Sequence, residues 1–228
     1  MIAHLRYFNE CWKALVLTSS SGTMNLNGEI QKFVAQSDPS RTLVISSITE
    51  LKDRLVFSND NWDVIICGYS TFKSINDAYK KALKVKAKNK FCIPLKEWFG
   101  DYHGLLLADE CHLIGNPSSE KAKNFFNSLP CFDYRYLFSA TPWDKKEKAY
   151  PILKTLDESL IKGLSYTEWL STFCELGTRF SPYAPNIDTW DMGKWARLQN
   201  ILADTYVAVR EKSLLNLPPA IDMDLITT

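Results

Sequence analysis

The sequence predicts an α/β protein: a parallel sheet of at least five strands, helices on both faces, and a helical carboxyl-terminal appendage. Three observations predict it. Short apolar runs alternate with helical spacing from Lys13 to Thr141, the pattern that a parallel sheet with right-handed crossovers imposes. Leu105-Leu106-Leu107-Ala108 runs straight into Asp109-Glu110, an apolar stretch ending abruptly in charge, as a strand buried on both faces does. Beyond Pro142 the apolar spacing is helical, apart from an irregular, proline-bearing stretch at 178–191.

Taken in order, Ile2, Leu5 and Phe8 fall near one face of a helix ending about Glu10. Lys13 to Thr18 is a strand built on Ala14-Leu15-Val16-Leu17, and Ser19, Ser20, Ser21, Gly22 and Thr23 form a hydroxyl-rich turn after it. Asn25 or Asn27 is the expected cap of a helix carrying Ile30, Phe33 and Val34 on one face. Arg41 to Ile45 is a second strand, followed by a helix from Thr49 to Val56. Trp62 to Tyr69 is a third strand, and Ser70 is the expected N-cap of the next helix. Lys80, Lys81, Lys84, Lys86, Lys88 and Lys90 follow, with no acid between Asp77 and Glu97. Such a tract is either a solvated helix end that complements the helix dipole, or a contact to a phosphate backbone. Phe91 to Phe99 leads through Pro94 and Trp98 to the strand before Asp109.

After Leu113 to Ser119, a turn, Ser118 or Ser119 caps a helix carrying Ala122, Phe125, Phe126 and Leu129. Tyr134 to Phe138 is another apolar strand. Ala149, Ile152, Leu153 and Leu156 mark a helix, and Tyr166, Trp169, Leu170 and Phe173 mark another, capped by Ser165, with Trp169 and Phe173 spaced as core residues. Lys194 to Leu214 is amphipathic through Leu198, Ile201, Leu202, Tyr206 and Val209. Leu217-Pro218-Pro219 breaks it, and Ile221 to Thr228 reads as extended.

A parallel sheet puts its ligand crevice at the carboxyl ends of its strands, so Asp109 and Glu110 should face a site. One carboxylate there can hold a magnesium ion, and the other can orient or deprotonate a water; nucleoside triphosphate hydrolysis needs both. Asp-Glu by itself also fits a solvated acidic turn. The second strand decides the reading, because it too ends in polar groups, Ser139-Ala140-Thr141-Pro142. The pair Asp109-Glu110-Cys111-His112 and Ser139-Ala140-Thr141-Pro142 resembles motifs II and III of superfamily 2 helicases and translocases in order and spacing. Ser19 to Thr23, with Glu29 and Phe33, resembles motif Ia, departing from it in Thr18, where a proline is common, and in lacking a tryptophan near Asn27. Asp63, Tyr69 and Phe72 resemble the motif Ib region. Gly115-Asn116 with Ser118-Ser119 resembles the Swi/Snf branch.

The resemblance implies a first RecA-like motor lobe over 1–157, a helical appendage over 158–216 and a linker towards a second lobe over 217–228. It implies ATP and Mg2+ as cofactors, bound through Asp109 and Glu110. Asp109 coordinates the metal, Glu110 activates water, and His112 either bridges to motif III or is a buried structural histidine. Ser139, Ala140 and Thr141 couple hydrolysis to movement. Contacts to nucleic acid fall to Ser19, Ser20, Ser21, Gly22, Thr23, Tyr69, Ser70, Lys80, Lys81 and Lys84.

No GxxxxGK[ST] loop, whose backbone N–H groups and lysine cradle phosphates, occurs among the 228 residues. Ser20 to Thr23 comes nearest and has no lysine. The expectation is a motor lobe incomplete at its amino end, inactive alone, complemented by polypeptides carrying the phosphate loop (Walker A) and the second lobe with its arginine finger. The alternatives are a non-catalytic, motor-derived lobe that binds nucleic acid or protein, and a DExH-type RNA helicase fragment. Pro142 and the loop at Asn116 favour the DNA branch.

Composition bounds these readings. An apolar fraction of 46% supports a sizeable core, and a net charge of +1 confines any nucleic-acid surface to a local patch. Six cysteines without a CxxC pair read as reduced thiols, which implies an intracellular protein, cytoplasmic or, in a eukaryote, nuclear. No apolar run reaches the roughly 18 residues of a membrane span, and Met1 to Phe8 lacks the apolar core of a signal peptide.

Overall fold

The computed structural model describes residues 12–33, 41–47, 57, 62–82, 92–143, 145–176 and 187–205. The helices expected near 2–10 and 49–56, the far part of the lysine tract, and everything after Thr205 lie outside them. The elements are β1 (Trp12–Thr18), α1 (Gly22–Phe33), β2 (Thr42–Ile45), β3 (Val64–Gly68), α2 (Tyr69–Ala82), α3 (Cys92–Phe99), β4 (His103–Ala108) and α4 (Glu120–Phe126). There follow β5 (Tyr134–Leu137), α5 (Ala149–Leu156), α6 (Tyr166–Phe173), β6 (Cys174–Leu176), β7 (Ile187–Trp190) and α7 (Met192–Thr205).

Among the described residues, five parallel strands form one sheet in the order β2-β3-β1-β4-β5. Alternation along the strands sends Leu15, Leu17, Ile65, Cys67, Leu106 and Ala108 to one face. They pack there with Phe72 and Ile75 of α2, Trp98 of α3, Phe125 of α4 and Ile152 of α5. Ala14, Val16, Val64, Ile66, Leu105 and Leu107 pack on the other face with Leu26 and Ile30 of α1. Both faces are therefore covered, which is why these strands read as unbroken apolar runs. β4 lies inside the sheet, between β1 and β5.

Local chemistry moved several boundaries. α1 begins at Gly22, and Ser19 caps it through Oγ (3.1 Å) and its carbonyl (2.9 Å), so Asn25 and Asn27 lie within the helix. β3 passes directly into α2 at Tyr69, which leaves Ser70 in the first turn with its carbonyl accepting from Ser74 Oγ. Of the two candidate caps of α4, Ser119 serves, accepting from the Ala122 N–H at 3.2 Å. Ser165 caps α6 in a box completed by Glu168.

A separate core holds the carboxyl-terminal part. Ala149, Tyr150 and Leu153 of α5 pack there with Trp169, Leu170, Trp195, Leu198 and Leu202. Because Ile152 of the same helix belongs to the sheet core, α5 serves both. The stretch expected to be irregular contains β7, antiparallel to β6. Ile201 is 51% exposed, since α7 turns Trp195, Leu198 and Leu202 inward and leaves Ile201 off that stripe.

β4 also sets a packing limit. A Cβ on Gly104 would lie 2.7 Å from the Phe99 ring and 3.0 Å from the Cys131 carbonyl, and Phe99 is buried. Gly104→Ala is expected to lower stability by about 1–3 kcal/mol through overpacking, read as a reduced midpoint in urea unfolding.

Candidate functional site

The site forms where β4 runs out. Asp109 extends the ladder by one bond, its N–H donating to the Leu17 carbonyl at 2.7 Å. Its carbonyl accepts from the Tyr69 hydroxyl at 2.9 Å, and its Oδ2 accepts from Thr18 Oγ1 at 2.8 Å. The chain then turns sharply at Glu110, whose φ of 47° and ψ of 48° are left-handed. A non-glycine residue there costs about 1–2 kcal/mol, the kind of strain that folds keep at functional positions. The turn presents Glu110 and starts a short 3-10 helix, Cys111–Ile114, tied to the end of β5 by the Cys111 N–H donating to the Phe138 carbonyl at 3.0 Å.

His112 joins the two strand ends. Its Nδ1 is 3.2 Å from Glu110 Oε2 and 3.1 Å from Ser139 Oγ. Ser139 Oγ in turn accepts from the Thr141 N–H at 3.2 Å. The structure thus brings Asp109, Glu110, His112, Ser139 and Thr141 together at the carboxyl ends of neighbouring parallel strands, with Ala140 exposed between the two hydroxyl residues. The His112 side chain is 42% exposed, so it is not a buried structural histidine. A cavity of about 200 Å3 opens beside it, lined by His112, Thr141, Trp143, Lys148 and Ile152 among others.

The other candidates are more dispersed. Ser19, Ser20 and Ser21 follow the end of β1, and Ser20 lies over the end of β3, where a Cβ on Gly68 would meet its Oγ at 3.2 Å. Thr23 is buried and donates to the Ser20 carbonyl. Tyr69 is 5% exposed, and its hydroxyl is committed to Asp109. Burial, reinforced by Cys111, Asp109 and Glu110, holds its pKa far above the usual phenol range, so it stays a donor. Ser70 and Lys81 are exposed, Lys80 lies near the end of α2, and Lys84 lies outside the described residues. Burial pushes the Cys111 thiol up to about 12, which leaves it inert beside the site. Thr18 escaped sequence reasoning. The available signal was a hydroxyl at the last position of an interior apolar strand.

The residues fit a magnesium ion of one kind. Among the described residues no group of three or more His, Cys, Asp or Glu could cage a metal. Among the described residues the Asp109 carboxylate takes its hydrogen bond on Oδ2, leaving Oδ1 available. Magnesium is commonly held by one or two carboxylates, substrate phosphates and waters, so an ion shared with phosphates suits this end of the sheet.

No protein-family model and no curated protein matches the sequence. Solved structures do. The fold is an α/β RecA-like one, shared with a solved SWI2/SNF2 ATPase core domain. The chain aligns with the Sulfolobus solfataricus SWI2/SNF2 ATPase core domain at a TM-score of 0.55 and 22% identity, over 95% of this chain and 37% of that one. The Sulfolobus solfataricus SWI2/SNF2 ATPase core in complex with dsDNA aligns at a TM-score of 0.48 and 22% identity, over 75% of this chain and 30% of that one. This chain therefore spans 37% or less of the length of these two structures.

Left-handed strain at a charged residue is testable. Glu110→Gly should raise stability by about 1 kcal/mol, because glycine adopts positive φ without penalty, whereas Glu110→Gln should leave it nearly unchanged. Urea midpoints of the two variants check this. A glycine variant no more stable than wild type would mean that Glu110 bears no backbone strain.

Proposed function

We propose that these residues form part of an ATP-dependent motor acting on nucleic acid, DNA in preference to RNA, with hydrolysis coupled to movement. The observation that carries this reading is the 3.1 Å contact between His112 Nδ1 and Ser139 Oγ. It links the turn bearing Asp109 and Glu110 to the Ser139-Ala140-Thr141 segment, within a fold shared with an ATPase core. ATP and Mg2+ are the cofactors proposed, and a bound ion would neutralise charge developing on the phosphates. Asp109 would hold the ion through its available oxygen. Glu110, at the exposed tip of the turn, would orient the attacking water and take its proton. His112 would sense Glu110 and pass its state to Ser139 and Thr141.

Nucleic acid would lie across the carboxyl ends of β1 and β3. The exposed Ser70, with Ser19 to Ser21, supports that face; Lys81, also exposed, lies eleven residues further along α2, roughly 16 Å from Ser70, so Lys80, Lys81 and Lys84 would make a separate contact. We assign 1–157 to the lobe, 158–216 to the appendage and 217–228 to a linker, a division supported by the separate core around Trp169 and Trp195. The phosphate loop and second lobe would come from complementing polypeptide. An intracellular setting is supported by Cys67, Cys111, Cys131 and Cys174, all buried and free. Among the described residues no helix is long and apolar enough to cross a membrane. A second reading is a lobe that binds nucleic acid or protein without hydrolysing nucleotide.

The purified 228-residue chain is expected to show negligible ATP hydrolysis. Adding polypeptides that carry a phosphate loop and a second lobe should give turnover, and Glu110→Gln should then lower it by about 10²–10⁴-fold while nucleotide binding survives. Hydrolysis by the chain alone that disappears in Glu110→Gln would refute the need for complementing parts. No turnover in any combination would favour the non-hydrolysing lobe.

A further inference from the structure

Thr18 is the polar side chain beside Asp109 that no motif accounts for. It is the last residue of β1 and is 1% exposed. Leu17 pairs with Ala108 in the β1–β4 ladder, so the next residues along, Thr18 and Asp109, stand side by side. Asp109 is otherwise fixed through its backbone, by the Leu17 carbonyl and the Tyr69 hydroxyl. Those bonds leave the torsion of the carboxylate undetermined. The bond from Thr18 Oγ1 to Oδ2, 2.8 Å long, supplies it.

On its other side Thr18 meets the hydroxyl turn. A Cβ on Gly22 would lie 2.7 Å from Thr18 Oγ1 and 3.0 Å from Ser19 Oγ. Gly22 is itself held by its N–H to the Ser19 carbonyl and to Ser19 Oγ. Threonine is β-branched and stiff at χ1, so it has little freedom to yield to a side chain at position 22 without turning its hydroxyl away from Asp109.

We propose that Thr18 is a positioning residue: its hydroxyl fixes the Asp109 carboxylate so that Oδ1 faces a divalent cation, and it ties that carboxylate to the Ser19–Gly22 turn. This rests on the reading of Asp109 as a cation ligand. The hydroxyl has one hydrogen to donate and directs it at Oδ2, which leaves Oδ1 as the oxygen offered to the ion. Displacing the turn would move the hydroxyl and loosen the carboxylate, and by linkage cation binding would in turn favour the seated turn.

The test uses Mn2+ alone as a paramagnetic probe on the full chain. Broadening of the Asp109 and Glu110 amide signals is titrated by NMR, and the remaining signals report folding. Asp109→Asn should lose the local broadening. Thr18→Val keeps the shape without the donor and should raise the Mn2+ midpoint about tenfold, the usual effect of losing a partner that orients a metal ligand. Thr18→Ser should return it close to wild type, and Gly22→Ala should shift it in the direction of Thr18→Val. Should Thr18→Val lose its folded spectrum, Gly22→Ala carries the same comparison. A midpoint unchanged in Thr18→Val and Gly22→Ala, with broadening still lost in Asp109→Asn, would overturn the positioning role and leave Asp109 as the ligand. Broadening that survives Asp109→Asn, or none in wild type, would overturn the cation reading and the inference with it.

Discussion

The ladder between β1 and β4 is what the rest of the molecule depends on. It runs from Trp12 opposite His103 to Leu17 opposite Ala108 and continues as a hydrogen bond from Asp109 to Leu17. Both strands are interior, and helices cover both faces of the sheet. Burial on two sides excludes charge from the body of a strand unless it is compensated. Lys13 shows the exception: it is 1% exposed, donates to the Trp98 carbonyl at 2.7 Å and packs near the Trp98 and Tyr102 rings. Carboxylates can therefore collect only where the strands run out, and the register decides which residues meet there.

That constraint gives the site its construction. Asp109 is pinned by backbone and side-chain bonds from β1 and from the start of α2, all contributed by well-buried residues. Glu110 is the opposite case, lifted into solvent by a left-handed turn and paired with an exposed histidine. The two adjacent carboxylates are thus held differently, one through buried partners and the other in a partly exposed contact with His112. The contact from His112 to Ser139 joins the turn after β4 to the segment that follows β5.

The sheet core and the aromatic core share one helix. One face of α5 enters the sheet core through Ile152, and another enters the aromatic core through Tyr150 and Leu153. The Tyr150 ring lies tilted against Tyr166 and edge-on to Trp169, and its hydroxyl donates to the Leu164 carbonyl at 2.8 Å. Segment 149–156 begins only a few residues after Thr141, so the two cores meet close to the site.

The sequence by itself determined the elements whose chemistry is local. The alternation of apolar runs and helical spacing specified the five parallel strands, and the abrupt change from Leu107 and Ala108 to Asp109 and Glu110 located the end of β4. Ser165 followed by Glu168 announced a helix start, since a capping box closes within one turn. Only the tertiary structure decided which of several polar side chains did the capping, because the Ser19 hydroxyl and the Asn25 and Asn27 amides all have the chemistry and the length of β1 selects among them. It alone revealed β6 and β7, a pair whose strands have 3 and 4 residues, too short for a period to register. It also turned Tyr69 inward to Asp109 and made Thr18 its neighbour. Those are contacts between residues 40 and 91 positions apart, fixed by strand order and register, which no local pattern encodes.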